Sequence, residues 1–205
     1  MRIAIIVEGK TERVFKPFLN QFLKTRLVGR MPKLDFVPQD GRIPTGDKLR
    51  RVVTHLLNDR KYPADAVIGL TDIYTGSNPP DFQNAEDAKE KMKRWVGDVA
   101  DFYPHVALYD FEAWLLPYWP KIQRLAGSDR VAPGNNPEAV NHQNPPAYRL
   151  KEIYRVGTCR RDYVKTREAP RILKDEDLGI SIDACQELKS FVNCIITLSD
   201  GEPLA

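Results

Sequence analysis

The sequence predicts an α/β fold, with a mainly parallel sheet flanked by helices and a helical C-terminal extension. Short β-branched runs alternate with helical patterns over the first ~115 residues, as is typical of right-handed βαβ units. With 205 residues, of which 42% are hydrophobic, the chain can bury a substantial core. The composition then shifts toward proline, asparagine and glycine at residue 127. We therefore expect an α/β core at residues 1–118 and, packed on it in one structural domain, a loop-rich helical extension at 119–205.

The first strand and helix are the clearest elements. Residues 2–7 (RIAIIV) form a short β-branched run that ends before Gly9, which predicts a buried strand. Apolar residues then recur at helical spacing over residues 11–27, and Thr11 is a suitable N-cap. Residues 34–37 predict the second strand.

The remaining elements continue this alternation. Strands are expected at 66–70, running out to Asp72, and at 105–109; helices at 48–57, 86–96, 111–116 and 182–198; and loops at 73–82 and 127–147. The helix at 86–96 is amphipathic and carries the pairs Asp87–Lys91 and Glu90–Arg94 at i,i+4. Glycine and proline residues mark both loops.

Several classes of protein are excluded by composition and motif. No apolar stretch approaches the ~18 residues of a membrane span, and the first apolar run is too short for a signal peptide, so we expect a cytoplasmic protein without a membrane partner. The three cysteines form no CxxC, which favours reduced, packed thiols. A phosphate loop ending at Gly9 would need its first glycine at position 4, which is Ala4. The GxGxxG and GxSxG motifs are also absent.

Acidic residues follow three of the predicted strands. The first strand ends at Glu8, the third at Asp72, and the fourth at Asp110, with Glu112 two residues later. Ligands of open α/β sheets bind at this edge. Clustered carboxylates raise one another's pKa, a cost that a cation removes, and hard oxygen ligands suit Mg²⁺ or Mn²⁺. These four residues are the predicted ligands of one or two ions.

Each carboxylate also has a purely structural alternative. Glu8 would suit the N-terminus of the first helix, and Asp72 would suit a turn. Asp110 and Glu112 would serve equally well as an N-cap and a first-turn acid. Glu12 is expected to begin the helix or to interact with the metal ligands without binding the ion itself.

Positive charge is concentrated at residues 149–174. This segment contains nine basic and three acidic residues, so its net charge is +6. Tyr148, Tyr154 and Tyr163 lie among them. A surface that contacts phosphates and stacks on bases needs this composition. The alternative is a solvated helix face with internal ion pairs.

The motif IAIIVEGKTE, with the acidic strand ends that follow it, resembles the Toprim fold of topoisomerases, primases and OLD-type nucleases. More narrowly, LTDIYTGSNPPDF, HVALYDFEAWLL and YVKTREAPRIL resemble a prokaryotic Toprim-like family named domain of unknown function 4276, over residues 2 to about 198. The resemblance implies that Glu8 is an acid–base residue or metal ligand and that Asp72 is the first acid of a DxD motif. Tyr74 stands in place of the second acid, so either Asp110 and Glu112 complete the site or a single ion is bound.

The resemblance also implies roles for cations. Lys165 is similar to the late lysine of OLD-type nucleases, a catalytic residue that stabilises charge on phosphate; a surface lysine is the alternative. We expect Glu12 and Tyr74 beside the ligands, and contacts to nucleic acid from Lys10, Arg160, Arg161 and Arg167.

The expected function is that of a Mg²⁺-dependent phosphodiesterase or nuclease acting on DNA or RNA. The resemblance implies an ATPase partner encoded nearby in a phage-defence or mobile-element system. The alternative, favoured by Tyr74, is a non-catalytic module that regulates or recruits such an ATPase. A small-molecule phosphotransferase ranks last, because no nucleotide loop is present. The sequence leaves open whether the protein forms a homo-oligomer.

Overall fold

A computed structural model describes residues 1–9, 12–39, 41–73, 78, 80–140 and 144–205, with only the backbone of Glu12. Its strands form one sheet in the order β2-β1-β3-β4. They span Arg2–Val7 (β1), Lys33–Pro38 (β2), Ala66–Asp72 (β3) and Phe102–Ala107 (β4). Each neighbouring pair is parallel, and helices flank the sheet, so the predicted α/β class is confirmed.

The helices follow the strands in the predicted alternation and then continue through the C-terminal part. The α-helices are α1 (Lys16–Arg26), α2 (Asp47–Leu57), α3 (Ala85–Val96), α4 (Trp119–Ala126), α5 (Pro146–Val156), α6 (Lys165–Leu173), α7 (Leu178–Ala184) and α8 (Gln186–Leu198). Short 3₁₀ helices span Glu12–Val14, Phe111–Tyr118 and Pro137–Ala139. Within the described part of the chain, no helix is long and apolar enough to cross a membrane.

Strand β1 is buried on both faces and separates two hydrophobic cores. Ile3 and Ile5 face a core shared with α1 and the C-terminal helices. Ala4 and Ile6 face a second core formed with α2 and α3. Because side chains alternate along a strand, a strand between two cores needs a continuous apolar run, which explains the sequence RIAIIV.

Several predicted element bounds are wrong. Strand β4 starts at Phe102 rather than at residue 105 and includes Pro104, which is tolerated because β4 lies at the edge of the sheet. The helix expected at 111–116 is a 3₁₀ helix over Phe111–Tyr118. Pro117 lies inside it and cannot donate a helical hydrogen bond.

The helix expected at 182–198 is two helices that meet at Cys185, whose backbone is extended. The amide of Glu187 donates to Glu138 Oε1 at 3.0 Å, so a carboxylate 49 residues away caps the start of α8. Thr11, the predicted N-cap of the first helix, lies outside the described residues, and α1 begins at Lys16.

Candidate functional site

The predicted acidic strand ends lie on three adjacent strands of the sheet. The register pairs Ile6 of β1 with Gly69 of β3, which brings Glu8 level with the last residues of β3. Asp72 pairs with Ala107 at the end of β4, and Asp110 follows three residues later. Parallel strands end at one edge, so the three acids share it.

Glu8 is held in place by the end of β3. Its Oε1 accepts a hydrogen bond from the Thr71 hydroxyl at 2.7 Å and another from the Asp72 amide at 3.0 Å. Thr71 is 1% exposed, so its hydroxyl is committed to this contact and to the backbone nearby. The sequence prediction omitted Thr71; the signal was a polar residue in an otherwise apolar strand, directly before Asp72.

Asp72 has a pKa well above its usual value. Burial is the main cause, followed by the negative charge of Glu8. Asp110 and Glu112 raise the pKa of Asp72 further, whereas Lys165 lowers it. Four side chains from three other segments of the chain therefore act electrostatically on Asp72.

Asp110 is 6% exposed and faces the N-terminus of α5. Its Oδ2 accepts from the amide of Ala147 at 3.1 Å, where the helix dipole favours a negative charge. Its Oδ1 is buried and has no hydrogen-bond partner among the described residues. Burial first, and then the charge of Glu112, raise the pKa of Asp110 to about 7. The residue occupies the N-cap position of the following 3₁₀ helix, but its side chain forms no capping bond there.

Glu112 and Lys165 form an ion pair beside these acids. Lys165 Nζ lies 3.2 Å from Glu112 Oε2, and the two side chains are 20% and 5% exposed. The Tyr163 hydroxyl donates to Glu112 Oε1 at 3.4 Å. Lys165 begins α6 and also lies 5.1 Å from the centre of the Phe111 ring. The C-terminal helices thus deliver one cation to a cluster of four acids.

Part of the basic segment at 149–174 is paired within the segment. Arg167 and Arg171 contact the fully buried carboxylate of Glu168 at 2.5 and 2.9 Å, and the Tyr154 hydroxyl donates to the same group at 3.1 Å. Arg167 is therefore occupied within the fold.

The other predicted contacts to nucleic acid differ in exposure. Arg160 and Arg161 are exposed, and Arg161 donates to the Leu125 carbonyl at 3.4 Å. Of the three tyrosines, Tyr148 is exposed whereas Tyr154 and Tyr163 are buried. Lys10, Tyr74 and the side chain of Glu12 lie outside the described residues.

The donor chemistry of the site suits a hard divalent cation. Asp110 offers a buried oxygen to which no described residue hydrogen-bonds, and ionising Asp72 is costly without added positive charge. Within the described ranges, however, no three Asp, Glu, His or Cys side chains stand close enough to hold an ion as they are. Glu112 is engaged by Lys165 and Tyr163, which leaves Glu8, Asp72 and Asp110 as the candidate carboxylate ligands.

Comparison with known proteins gives a family and one distant structural likeness. Residues 7–196 match the family model described as domain of unknown function (DUF4276). The chain is similar to the C-terminal region of the Burkholderia pseudomallei OLD protein, at 12% identity and a TM-score of 0.45, over 94% of this chain and 98% of that one. A search of curated proteins found no match.

Proposed function

We propose that this chain, which belongs to the family described as domain of unknown function (DUF4276), is a divalent-metal-dependent phosphodiesterase that cleaves DNA or RNA. Its motifs predicted the family correctly. The observation that carries the proposal is the convergence of Glu8, Asp72 and Asp110 at one sheet edge, together with a buried Asp110 oxygen that has no hydrogen-bond partner among the described residues. Such a cluster is stable in its ionised form only with a compensating cation.

Glu8, Asp72 and Asp110 would hold the ion. Bound there, it would polarise the scissile phosphate and lower the pKa of the attacking water. Asp72 and Asp110 would release protons on binding, because both have a raised pKa and ligands must be deprotonated. The Thr71 hydroxyl and the Asp72 amide would keep Glu8 in one orientation during the reaction.

Lys165 would stabilise negative charge on the phosphate oxygens. Its ammonium group already lies among carboxylates, where a substrate phosphate would compete for it. Preorganised positive charge in a water-poor site is a large source of transition-state stabilisation. Arg160 and Arg161 are exposed on the same segment and would contact neighbouring phosphates, so binding should weaken steeply with salt.

The direct test is cleavage of plasmid DNA and single-stranded RNA with Mg²⁺ or Mn²⁺. We expect cleavage by the wild type and by the control Glu202→Gln, which changes an exposed glutamate near the C-terminus. Glu8→Gln should lose cleavage, because the amide cannot supply the negative charge. Equal cleavage by all three proteins would identify a contaminant, and no cleavage by the wild type with either ion would overturn the proposal.

A non-catalytic module that regulates or recruits an ATPase is the second candidate. Two observations favour it: Tyr74 replaces the second acid of DxD, and no group of three ligands stands ready among the described residues. Calorimetric titration with Mn²⁺ separates the candidates. Binding that Asp72→Asn abolishes supports the enzyme, whereas a wild type that binds no Mn²⁺ supports the module.

A further inference from the structure

A shallow groove runs between the end of β2 and the outer face of α2. It encloses about 540 Å³. Its floor is apolar, formed by Val37, Pro44, Val52 and Leu56, and its rim carries Lys48 and Arg51. These two cations lie three residues apart on α2, so they share one side of the helix.

The groove begins at the sheet edge that carries the acidic site. Strand β2 is parallel to β1 and ends at the same edge. The loop that follows β2 touches the site directly, because the amide of Gly41 donates to the Glu8 carbonyl at 3.1 Å. The Gln39 amide donates to the Val7 carbonyl at 2.8 Å. A ligand that leaves the site past this loop therefore meets the groove next.

The two cations on the rim are exposed and form no ion pair within the described ranges, whereas several cations of the basic segment at 149–174 are paired within the fold. Lys48 and Arg51 are exposed, and neither forms an ion pair among the residues that the structure describes. By contrast, Arg167 and Arg171 share the buried carboxylate of Glu168. The fold thus leaves Lys48 and Arg51 outside the ion pairs of the described residues, on a helix that packs on the opposite face of the sheet from α6, which carries Lys165.

We infer that this groove binds the sugar–phosphate backbone of the nucleic acid next to the cleaved position. Phosphates would contact Lys48 and Arg51, and sugars would lie against the apolar floor. The inference rests on the proposed function, and it adds a binding surface outside the segment at 149–174. Charge complementarity favours a polyanion. Among the described residues that line the groove, Lys48 and Arg51 are cations, His55 is the one further ionisable group, and none is a carboxylate.

The test measures the affinity of the full chain for a fluorescent single-stranded oligonucleotide in EDTA, as a function of salt. In Lys48→Gln/Arg51→Gln, the loss of two phosphate contacts should reduce the slope of log Kd against log salt by about 1.4, and weaken binding about 25-fold near 0.1 M salt. The control Arg60→Gln/Lys61→Gln removes two exposed cations beyond the far end of α2. It should leave both quantities unchanged.

Each outcome separates this inference from the proposed function. A loss of affinity in Lys48→Gln/Arg51→Gln, without a loss in the control, supports binding of nucleic acid in the groove. Unchanged affinity in that variant, or an equal loss in the control, overturns the inference and would leave an acidic protein partner as the occupant suited to the groove. A wild type that binds no oligonucleotide would overturn the proposed function itself.

Discussion

Lys165→Met should destabilise the protein by about 3 kcal/mol in the absence of metal. The lysine lies 3.2 Å from Glu112 in a pair whose carboxylate is 5% exposed. At an effective dielectric constant of about 20, the attraction at that distance is about 5 kcal/mol. Desolvation of the two groups offsets part of it, and removing one partner of a buried pair generally costs about 3–5 kcal/mol. The partial exposure of the lysine favours the lower end.

The assay is thermal unfolding in EDTA at neutral pH. For a chain of this length, a loss of about 3 kcal/mol lowers Tm by roughly 6–12 °C. Lys151→Met is the matched control, since it makes the same change at an exposed position of α5 and should stay within about 0.5 kcal/mol of the wild type.

A double-mutant cycle with Glu112→Gln isolates the pair. The double variant should be less destabilised than the sum of the two single variants, because neither charge is then left alone. Our electrostatic reasoning is wrong if Lys165→Met has the same Tm as the control Lys151→Met, or if the effects of Lys165→Met and Glu112→Gln are additive. In either case the ammonium group does not stabilise the acidic cluster.

Two further predictions concern the same edge of the sheet. Thr71→Val keeps the shape of the side chain but removes a hydrogen bond to the Glu8 carboxylate, so urea unfolding should show a free energy of unfolding lower by about 1.5 kcal/mol. The control Thr54→Val, at an exposed position, should lower it hardly at all. An equal loss in both variants would contradict the orienting role of Thr71. Burial and the charge of Glu112 raise the pKa of Asp110 to about 7, so this carboxyl binds a proton more strongly in the folded protein than in the unfolded chain. Its contribution to stability is therefore lost as pH rises from about 4 to about 7. Asp110→Asn removes this dependence, so in EDTA its stability relative to the wild type should increase across that window by up to about 4 kcal/mol; a difference that stays constant with pH would refute the assignment.

The elements that follow from local pattern were predicted well. The run RIAIIV matches β1 at both ends, and the strand expected to reach Asp72 does so. Both patterns reflect burial on two faces, which a sequence displays directly. The bounds that were predicted wrongly depended on distant parts of the chain instead. Pro104 is accepted because β4 is an edge strand, and α8 begins where it is capped by Glu138, which lies in the 3₁₀ helix Pro137–Ala139.

Charge composition was a poorer guide than strand pattern. The excess of positive charge at 149–174 is real, but a count does not reveal which side chains pair within the fold. Arg167 and Arg171 are taken up by Glu168, and Tyr154 and Tyr163 lie in the core. Only packing shows which cations and rings stay available to a ligand.

The α/β class and the acids that end three strands follow from the sequence alone, because short-range periodicity and strand ends are properties of neighbouring residues. The family was predicted from the resemblance of the motifs to a known family. The tertiary structure decided which groups meet. Glu8 and Thr71 are 63 residues apart, and Asp110 and Ala147 are 37 apart. Such contacts depend on strand register and helix packing over the whole chain, and no local pattern encodes them.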